Sequence, residues 1–151
     1  MMRRKRRLSE NIIDETDLEL LELLRYNSRM SYARLASELG ISESAVRKRV
    51  NKLVRAGVIK KFTIEYELDN EVRAAILVKT TPPTPVPEVS SKLVKINGVE
   101  AVYEVTGEND ILVLVRVRSI REVNDCIDKI RSTPGVAATN SMIILKTRVK
   151  Q

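Results

Sequence analysis

The sequence predicts an α+β fold of two domains, in which three short helices precede a βαββαβ unit. Three observations lead to this prediction. Apolar residues recur every three or four positions through the first part of the chain, which is typical of amphipathic helices. From residue 72 onward, β-branched runs typical of strands alternate with two further helical patterns. Clusters of proline and glycine separate these segments, as expected for turns.

The first helix is predicted over residues 14–27. Asp14 can cap its start, and Asp17 stands at the acidic third position of the first turn. A face of the helix that packs against its neighbours needs apolar residues at helical spacing. The predicted members of that face are Leu18, Leu21 and Leu24.

The next two helices are predicted to form a helix-turn-helix around Gly40. Ser31 and Ser42 can cap their starts, and Gly57 can end the second of them in the left-handed conformation. Gly40 permits the sharp turn that brings one helix across the other. The predicted buried residues are Leu35, Ala36, Leu39, Ile41, Val46, Val50, Leu53 and Val54.

The third helix is strongly basic on the side away from its apolar residues. No acid occurs from Ser44 to Phe62, although a solvated helix face normally mixes charges of both signs. Arginine and lysine bind guanine edges or phosphates, and asparagine can bind adenine. We therefore expect a recognition helix for double-stranded DNA, with an ordinary solvated face as the alternative. The predicted contact residues are Ser44, Arg47, Lys48, Arg49, Asn51, Lys52 and Arg55.

These contacts divide into two kinds. Recognition helices lead into the major groove with their N-terminal half. The residues predicted to lie near base edges are Ser44, Arg47, Arg49 and Asn51. The residues predicted to contact mainly phosphates are Lys48 and Lys52.

The positive charge is concentrated at the front of the chain. Residues 1–60 hold 14 Lys and Arg against 8 Asp and Glu, whereas residues 61–151 hold 13 against 12. The RRKRR segment at residues 3–7 is not followed by an apolar run, so we do not expect it to belong to a signal peptide. It is either a phosphate-binding arm or a segment without a role. No apolar run is long enough to span a membrane, and we expect a cytoplasmic protein.

The composition argues against a catalytic or metal centre. The chain has no histidine and one cysteine, which excludes a zinc site, an intramolecular disulfide and a histidine-based acid–base pair. Cys126 lies at helical spacing from apolar neighbours, which favours a buried structural thiol. Catalysis would rest on carboxylates and lysines alone, and no such constellation is visible. We expect no enzyme and no cofactor.

A half-buried strand is predicted from Phe62 to Leu68, where apolar and polar residues alternate. It would serve as a wing of the first domain or as the link to the second. The predicted division is a basic arm at 1–11, a winged-helix-like helix-turn-helix domain at 12–58, a β-linker at 59–71 and a second domain at 72–151.

The second domain is predicted to be a ferredoxin-like βαββαβ sandwich. Its strands are predicted at residues 72–81, 99–105, 110–118 and 136 to about 149. Pro87 can occupy the first turn of one helix, and Ser119 can cap the other. Their predicted inner residues are Val89, Leu93, Ile96, Ile120, Val123, Ile127 and Ile130. Because both helices cover one sheet face, the other face would expose an apolar patch, and we expect a homodimer.

Both domains resemble the Lrp/AsnC (leucine-responsive, or feast/famine) family of prokaryotic transcription regulators. The resemblance covers residues 12–149 and is carried by IDETDLELLELLRYNSRMSYARLASELGISESAVRKRVNKLVRAGVIKKF and VYEVTGENDILVLVRV. It implies a DNA-binding regulator with an amino-acid-sensing sandwich that dimerises and often forms tetramers or octamers. The alternatives are a ligand-independent architectural DNA-binding protein and a ferredoxin-like enzyme module.

The resemblance also implies an effector loop after the second strand of the sandwich. Its glycine and, three residues later, its aspartate match Gly107 and Asp110. Backbone N–H groups near a glycine can bind a carboxylate, and Asp110 can pair with an ammonium group, although a plain hairpin turn is the alternative. Family positions sensitive to ligand match Met142, Ile143 and Ile144, which core packing explains equally well.

The loop is rich in acids that have no cation near them in sequence. Glu104 and Glu108 lie close to Asp110, and an amino acid needs only one carboxylate partner for its ammonium group. The surplus carboxylates would repel an acidic side chain and favour lysine or arginine as the effector. The alternative is that both glutamates point into water.

Overall fold

The computed structural model describes residues 13–149, and the statements below refer to that part of the chain. The RRKRR segment lies outside it. The chain forms two compact units, one up to Tyr66 and the other from Glu67 onward, each with its own hydrophobic core. Within residues 13–149, no helix combines the length and the hydropathy that a membrane span requires.

The first unit is the predicted helix-turn-helix. Its helices are α1 (Glu15–Tyr26), α2 (Tyr32–Leu39) and α3 (Glu43–Arg55). The side chains of Asp14, Ser31 and Ser42 accept hydrogen bonds from backbone N–H groups at the three helix starts, as predicted. Gly40 ends α2 with a φ of 65°, a conformation that glycine adopts without the steric cost of a Cβ.

Two predicted core residues of this unit are exposed. Leu18 is 55% exposed and Val54 is 45% exposed. Leucines occur on several sides of α1, and Asp17 turns inward to pair with cations of α3, so the buried side begins one residue earlier than predicted. On α3, the residues that pack inward already fill the side facing α1 and α2 without Val54. The core consists of Leu20, Leu24, Leu35, Ala36, Val46, Val50 and Leu53.

The predicted strand from Phe62 to Leu68 is absent. Residues 60–68 have no strand, and Phe62, Ile64 and Leu68 are all exposed. A strand needs a hydrogen-bonded neighbour. Every strand in the described part of the chain belongs to the second unit, so the first unit offers this alternating segment no strand to pair with.

The second unit is the predicted ferredoxin-like sandwich. Its strands are β1 (Val72–Thr80), β2 (Val99–Glu104), β3 (Ile111–Val117) and β4 (Val136–Ile143). They form one antiparallel sheet in the order β2-β3-β1-β4. Its helices are α4 (Val86–Leu93) and α5 (Ile120–Arg131), which pack on one face of the sheet. The last strand ends earlier than predicted, because the N–H of Ile144 bonds to Arg73 at the start of β1 and little of β1 remains to pair.

The inner face of α5 differs from the prediction at one position. Ile120, the first residue of the helix, is 53% exposed, and the buried face begins one turn later at Val123. Cys126 is buried, and its Sγ–H donates to the backbone carbonyl of Asn97 at 3.2 Å. Burial raises the pKa of this thiol. The prediction of a buried structural thiol is confirmed.

The second face of the sheet is covered by no described helix. Along β1 and β3, the residues of this face alternate with the buried residues of the core. They therefore point away from α4 and α5. In the strand register, Ala75 lies across from Leu114 and Met142, and Leu77 lies across from Leu112. These apolar side chains form an open surface in a single chain.

Candidate DNA-binding and effector sites

A buried carboxylate fastens the start of α1 to α3. Asp17 is fully buried, and its N–H donates to Oδ1 of Asp14 at 2.8 Å, while the Asp14 N–H donates back to Asp17 Oδ2 at 3.2 Å. Arg49 Nη1 donates to Asp17 Oδ1 at 2.8 Å and to Asp14 Oδ2 at 2.7 Å. Lys52 Nζ donates to the second oxygen of Asp17.

This arrangement sets the protonation of Asp17. Burial by itself raises the pKa of the carboxyl group, but the hydrogen bonds from Lys52 and Arg49 outweigh burial and hold the pKa below its usual value of 3.8. Asp17 is therefore charged at neutral pH, and two cations of α3 are paired within the protein. The acids that pair them belong to α1 and are distant in sequence, so the sequence of α3 gave no sign of this.

The other five predicted DNA contacts form one exposed side of α3, which we call the α3 stripe. Its members are Ser44, Arg47, Lys48, Asn51 and Arg55. Their spacing of three, four and seven residues places them on one face of the helix. The Arg47 guanidinium lies 4.8 Å from the centre of the Tyr32 ring, a cation–π contact with the start of α2. Lys48 and Arg55 have no acidic partner within residues 13–149.

The predicted effector loop is fixed to the end of β1. Asp110 Oδ2 accepts hydrogen bonds from the Thr80 N–H at 2.8 Å and from the Thr80 hydroxyl at 2.9 Å. These bonds, with the nearby Lys79 ammonium, lower the pKa of Asp110. Lys79 Nζ also donates to the backbone carbonyl of Glu108 at 2.5 Å. A cation from β1 thus stands at the loop, which the sequence around the loop did not reveal.

The loop residues leave open space on one side. Gly107 has a φ of 113°, and a Cβ built on it would meet no atom within 4 Å. Glycine is therefore needed for the backbone conformation, and the loop backbone is accessible. The side chains of Glu104 and Glu108 are exposed, and Glu104 accepts a hydrogen bond from the Ser90 hydroxyl at 2.5 Å.

The predicted effector residues of β4 are not brought to this loop within one chain. Met142 pairs with Ala75, whereas Asp110 binds Thr80, five residues further along β1. At about 3.3 Å per strand residue, the two positions are about 16 Å apart. The two sets of residues can therefore line one site only if different copies of the chain contribute them. The second set consists of Met142 and Ile143 at the end of β4 and of Ile144, which follows the strand.

Comparison with known families matches both units. The family model for the Lrp/AsnC ligand binding domain matches residues 73–151, and that for a winged helix-turn-helix DNA-binding domain matches residues 13–60. The chain belongs to the Lrp/AsnC family. This Lrp/AsnC protein is thus a DNA-binding transcription regulator with a domain for a small molecule, and it is not an enzyme.

Individual relatives support this assignment over nearly the whole chain. The HTH-type transcriptional regulator LysM of Saccharolobus solfataricus is 57% identical over 135 residues, covering 89% of this chain and 95% of LysM. The regulator FL11 of Pyrococcus horikoshii is 38% identical, covering 89% and 91% of the two chains. The structure of AsnC from E. coli superposes with a TM-score of 0.75 at 29% identity, covering 93% of this chain and 97% of AsnC.

Proposed function

We propose that this Lrp/AsnC regulator reads DNA through the α3 stripe and that an amino acid bound at the Gly107–Asp110 loop changes its affinity for DNA. The proposal for DNA binding rests on the difference between two groups of α3 cations, those paired with acids and those without acidic partners. Arg49 is paired with Asp14 and Asp17, and Lys52 is paired with Asp17, whereas the stripe presents Arg47, Lys48 and Arg55 without acids. We expect the protein to act in the cytoplasm.

The division changes the roles proposed for individual cations. Arg49 and Lys52 are 27% and 32% exposed and hold α3 against α1, so we propose that they position the recognition helix. Lys48 and Arg55 are free to contact phosphates. Arg47, aligned by Tyr32, and Asn51 are proposed to reach base edges in the major groove.

The effector site is proposed from the charges around the Gly107–Asp110 loop. An α-amino acid carries one carboxylate and one ammonium group. The ammonium of Lys79 and the open backbone near Gly107 suit the carboxylate, while Asp110 suits the ammonium group. The exposed carboxylates of Glu104 and Glu108 would then favour a cationic side chain, so lysine or arginine is the proposed effector.

Titration calorimetry with the twenty amino acids tests the effector site. Asp110→Ala is expected to abolish binding, because it removes the ammonium partner and the hydrogen bonds that hold the loop to Thr80. Glu104→Gln or Glu108→Gln is expected to weaken lysine or arginine selectively. Asp125→Asn, at an exposed position of α5, is the matched control.

The possible results separate the two parts of the effector proposal. Preference for a neutral or acidic amino acid, or unchanged binding in both glutamine variants, would contradict the proposal that Glu104 and Glu108 select a cationic side chain. Absence of binding for every amino acid would contradict the site itself. A thermal-melting scan of each variant shows whether a lost signal reflects lost folding.

We further propose that the open face of the sheet forms a homodimer, with tetramers or octamers as the larger assemblies. Leu77, Leu112 and Leu114 on this face would otherwise remain in contact with water. A dimer with a two-fold axis predicts a palindromic operator whose half-sites lie about one helical turn, or a multiple of it, apart.

A charge placed in this face tests the dimer. Leu114→Glu is expected to convert dimers into monomers, because the carboxylate would be buried without a partner. Light scattering at micromolar concentration measures the mass, with Arg121→Glu on the exposed side of α5 as the control. A monomeric wild-type protein, or a Leu114→Glu variant that remains dimeric, would contradict this interface.

A further inference from the structure

A shallow groove of about 580 Å³ lies between α1 and α2. Its apolar lining comes from Leu18, Leu23 and Leu39, and Leu18 is more than half exposed. Its polar lining comes from Glu15, Glu19, Glu22 and Glu38. No member of the α3 stripe lines it. We call this surface the acidic groove.

The glutamates of the acidic groove are poorly neutralised. Glu22 lies 3.4 Å from Arg25, and Glu38 lies 3.8 Å from Arg34, but both pairs are exposed and contribute little. Glu15 and Glu19 have no basic partner within residues 13–149. Like charges four residues apart on a helix repel each other, as Glu15 and Glu19 do here. A cation bound on this side of α1 would relieve that repulsion.

We propose that the acidic groove binds the chain's own RRKRR segment, residues 3–7. Five consecutive cations complement the four glutamates of the groove, and Leu8 next to them can cover its exposed leucine. This is the only run of five like charges in the sequence, and it is carried just ahead of the groove.

The length of the chain allows the segment to reach the groove. Lys5 precedes Glu15 by ten residues, which span at most about 33 Å when extended. The groove side of α1 runs from Glu15 to Glu22, about 10 Å along the helix axis. A short tether of this kind gives the segment an effective concentration of about the millimolar range at the groove. Weak charge pairing is therefore sufficient to hold the segment there.

Docking would have a consequence for DNA binding, and this consequence rests on the proposed function. The same cations cannot pair with the glutamates and with DNA phosphates at one time. The acidic groove therefore competes with DNA for the RRKRR segment and weakens binding to non-specific sequence, where phosphate contacts supply most of the affinity.

Zero-length cross-linking tests the docking without DNA. A carbodiimide couples Lys5, the single lysine of the segment, to nearby carboxylates, and peptide mass spectrometry identifies the partners. We expect cross-links from Lys5 to glutamates of the groove within one chain. We also expect these cross-links to disappear in about 1 M salt, because the Debye screening length falls to about 3 Å. Mixing isotopically light and heavy protein distinguishes links within a chain from links between chains.

A double-mutant cycle tests the consequence. In the full chain, E15Q/E19Q is expected to raise affinity for non-specific DNA by about threefold to tenfold, because the segment is released to phosphates. The same change made together with R3Q/R4Q/K5Q/R6Q/R7Q should have no such effect. E65Q/E67Q, which neutralises two exposed glutamates outside the groove, is the matched control.

The two experiments fail in different ways. No cross-link from Lys5 to the groove, or cross-links only between chains, would overturn the proposed docking. Cross-links with an unchanged DNA affinity in E15Q/E19Q would overturn the competition. A wild-type protein that does not bind DNA would count against the proposed function, while the cross-linking result would still decide the docking.

Discussion

Replacing Arg47 and Lys48 with alanine is expected to reduce operator binding more than any other pair of changes in α3. Arg47→Ala should cost about 1 to 3 kcal/mol at one base position, because it removes a contact to a base edge. Lys48→Ala should weaken binding to all sequences alike and flatten the salt dependence by about one unit. Within residues 13–149 neither side chain has an acidic partner, and Arg47 contacts only the Tyr32 ring, so both changes should leave the first unit folded.

The measurement is fluorescence anisotropy over a series of salt concentrations, with an operator selected from random DNA. Lys95→Ala, an exposed lysine in the second unit, is the control and should change neither affinity nor salt dependence. Lys52→Ala should flatten the salt dependence less than Lys48→Ala, because its ammonium is already paired with Asp17. Equal effects of Lys95→Ala and Lys48→Ala, or binding without salt dependence, would contradict the stripe.

Asp17→Asn is expected to destabilise the first unit by about 1.5 to 3 kcal/mol, since it removes charged hydrogen bonds from a buried site. The pKa of Asp17 is lowered in the folded protein, so its contribution is complete above the unfolded value. It is lost as pH falls through the lower folded value. The difference between wild type and variant should therefore shrink below about pH 4.

Hydrogen exchange of peptides from α1 and α3 measures this loss separately from the second unit. The same variant should bind non-specific DNA with a steeper salt dependence, because Lys52 loses its carboxylate partner while Arg49 keeps only Asp14. Asp125→Asn is the control for the removal of a surface carboxylate. Unchanged protection of both helices would show that the Asp17 contacts do not stabilise the unit.

The features that the sequence predicted well are those set by local chemistry. Residues close together in sequence determine the helix starts at Ser31, Ser42 and Ser119 and the left-handed end at Gly40. They also determine the order of helices and strands along the second unit. The buried Cys126 follows in the same way from helical spacing.

The features that the sequence missed depend on contacts between distant segments. Asp17 looked like an ordinary capping acid, and only the packing of α1 on α3 makes it a buried partner of Arg49. Lys79 approaches Glu108 because β1 and β3 are neighbours in the sheet, although the two residues are far apart in sequence. The absent strand near Phe62 shows the same limit, since alternation indicates a strand but does not supply its partner.

We propose that an amino acid bound at the Gly107–Asp110 loop changes the affinity of this regulator for DNA. Operator affinity measured with and without saturating lysine or arginine tests it most directly. We expect a change of about 5-fold to 150-fold in the wild-type protein and none in Asp110→Ala. Affinity that no amino acid alters, or the same change in Asp110→Ala, would contradict it.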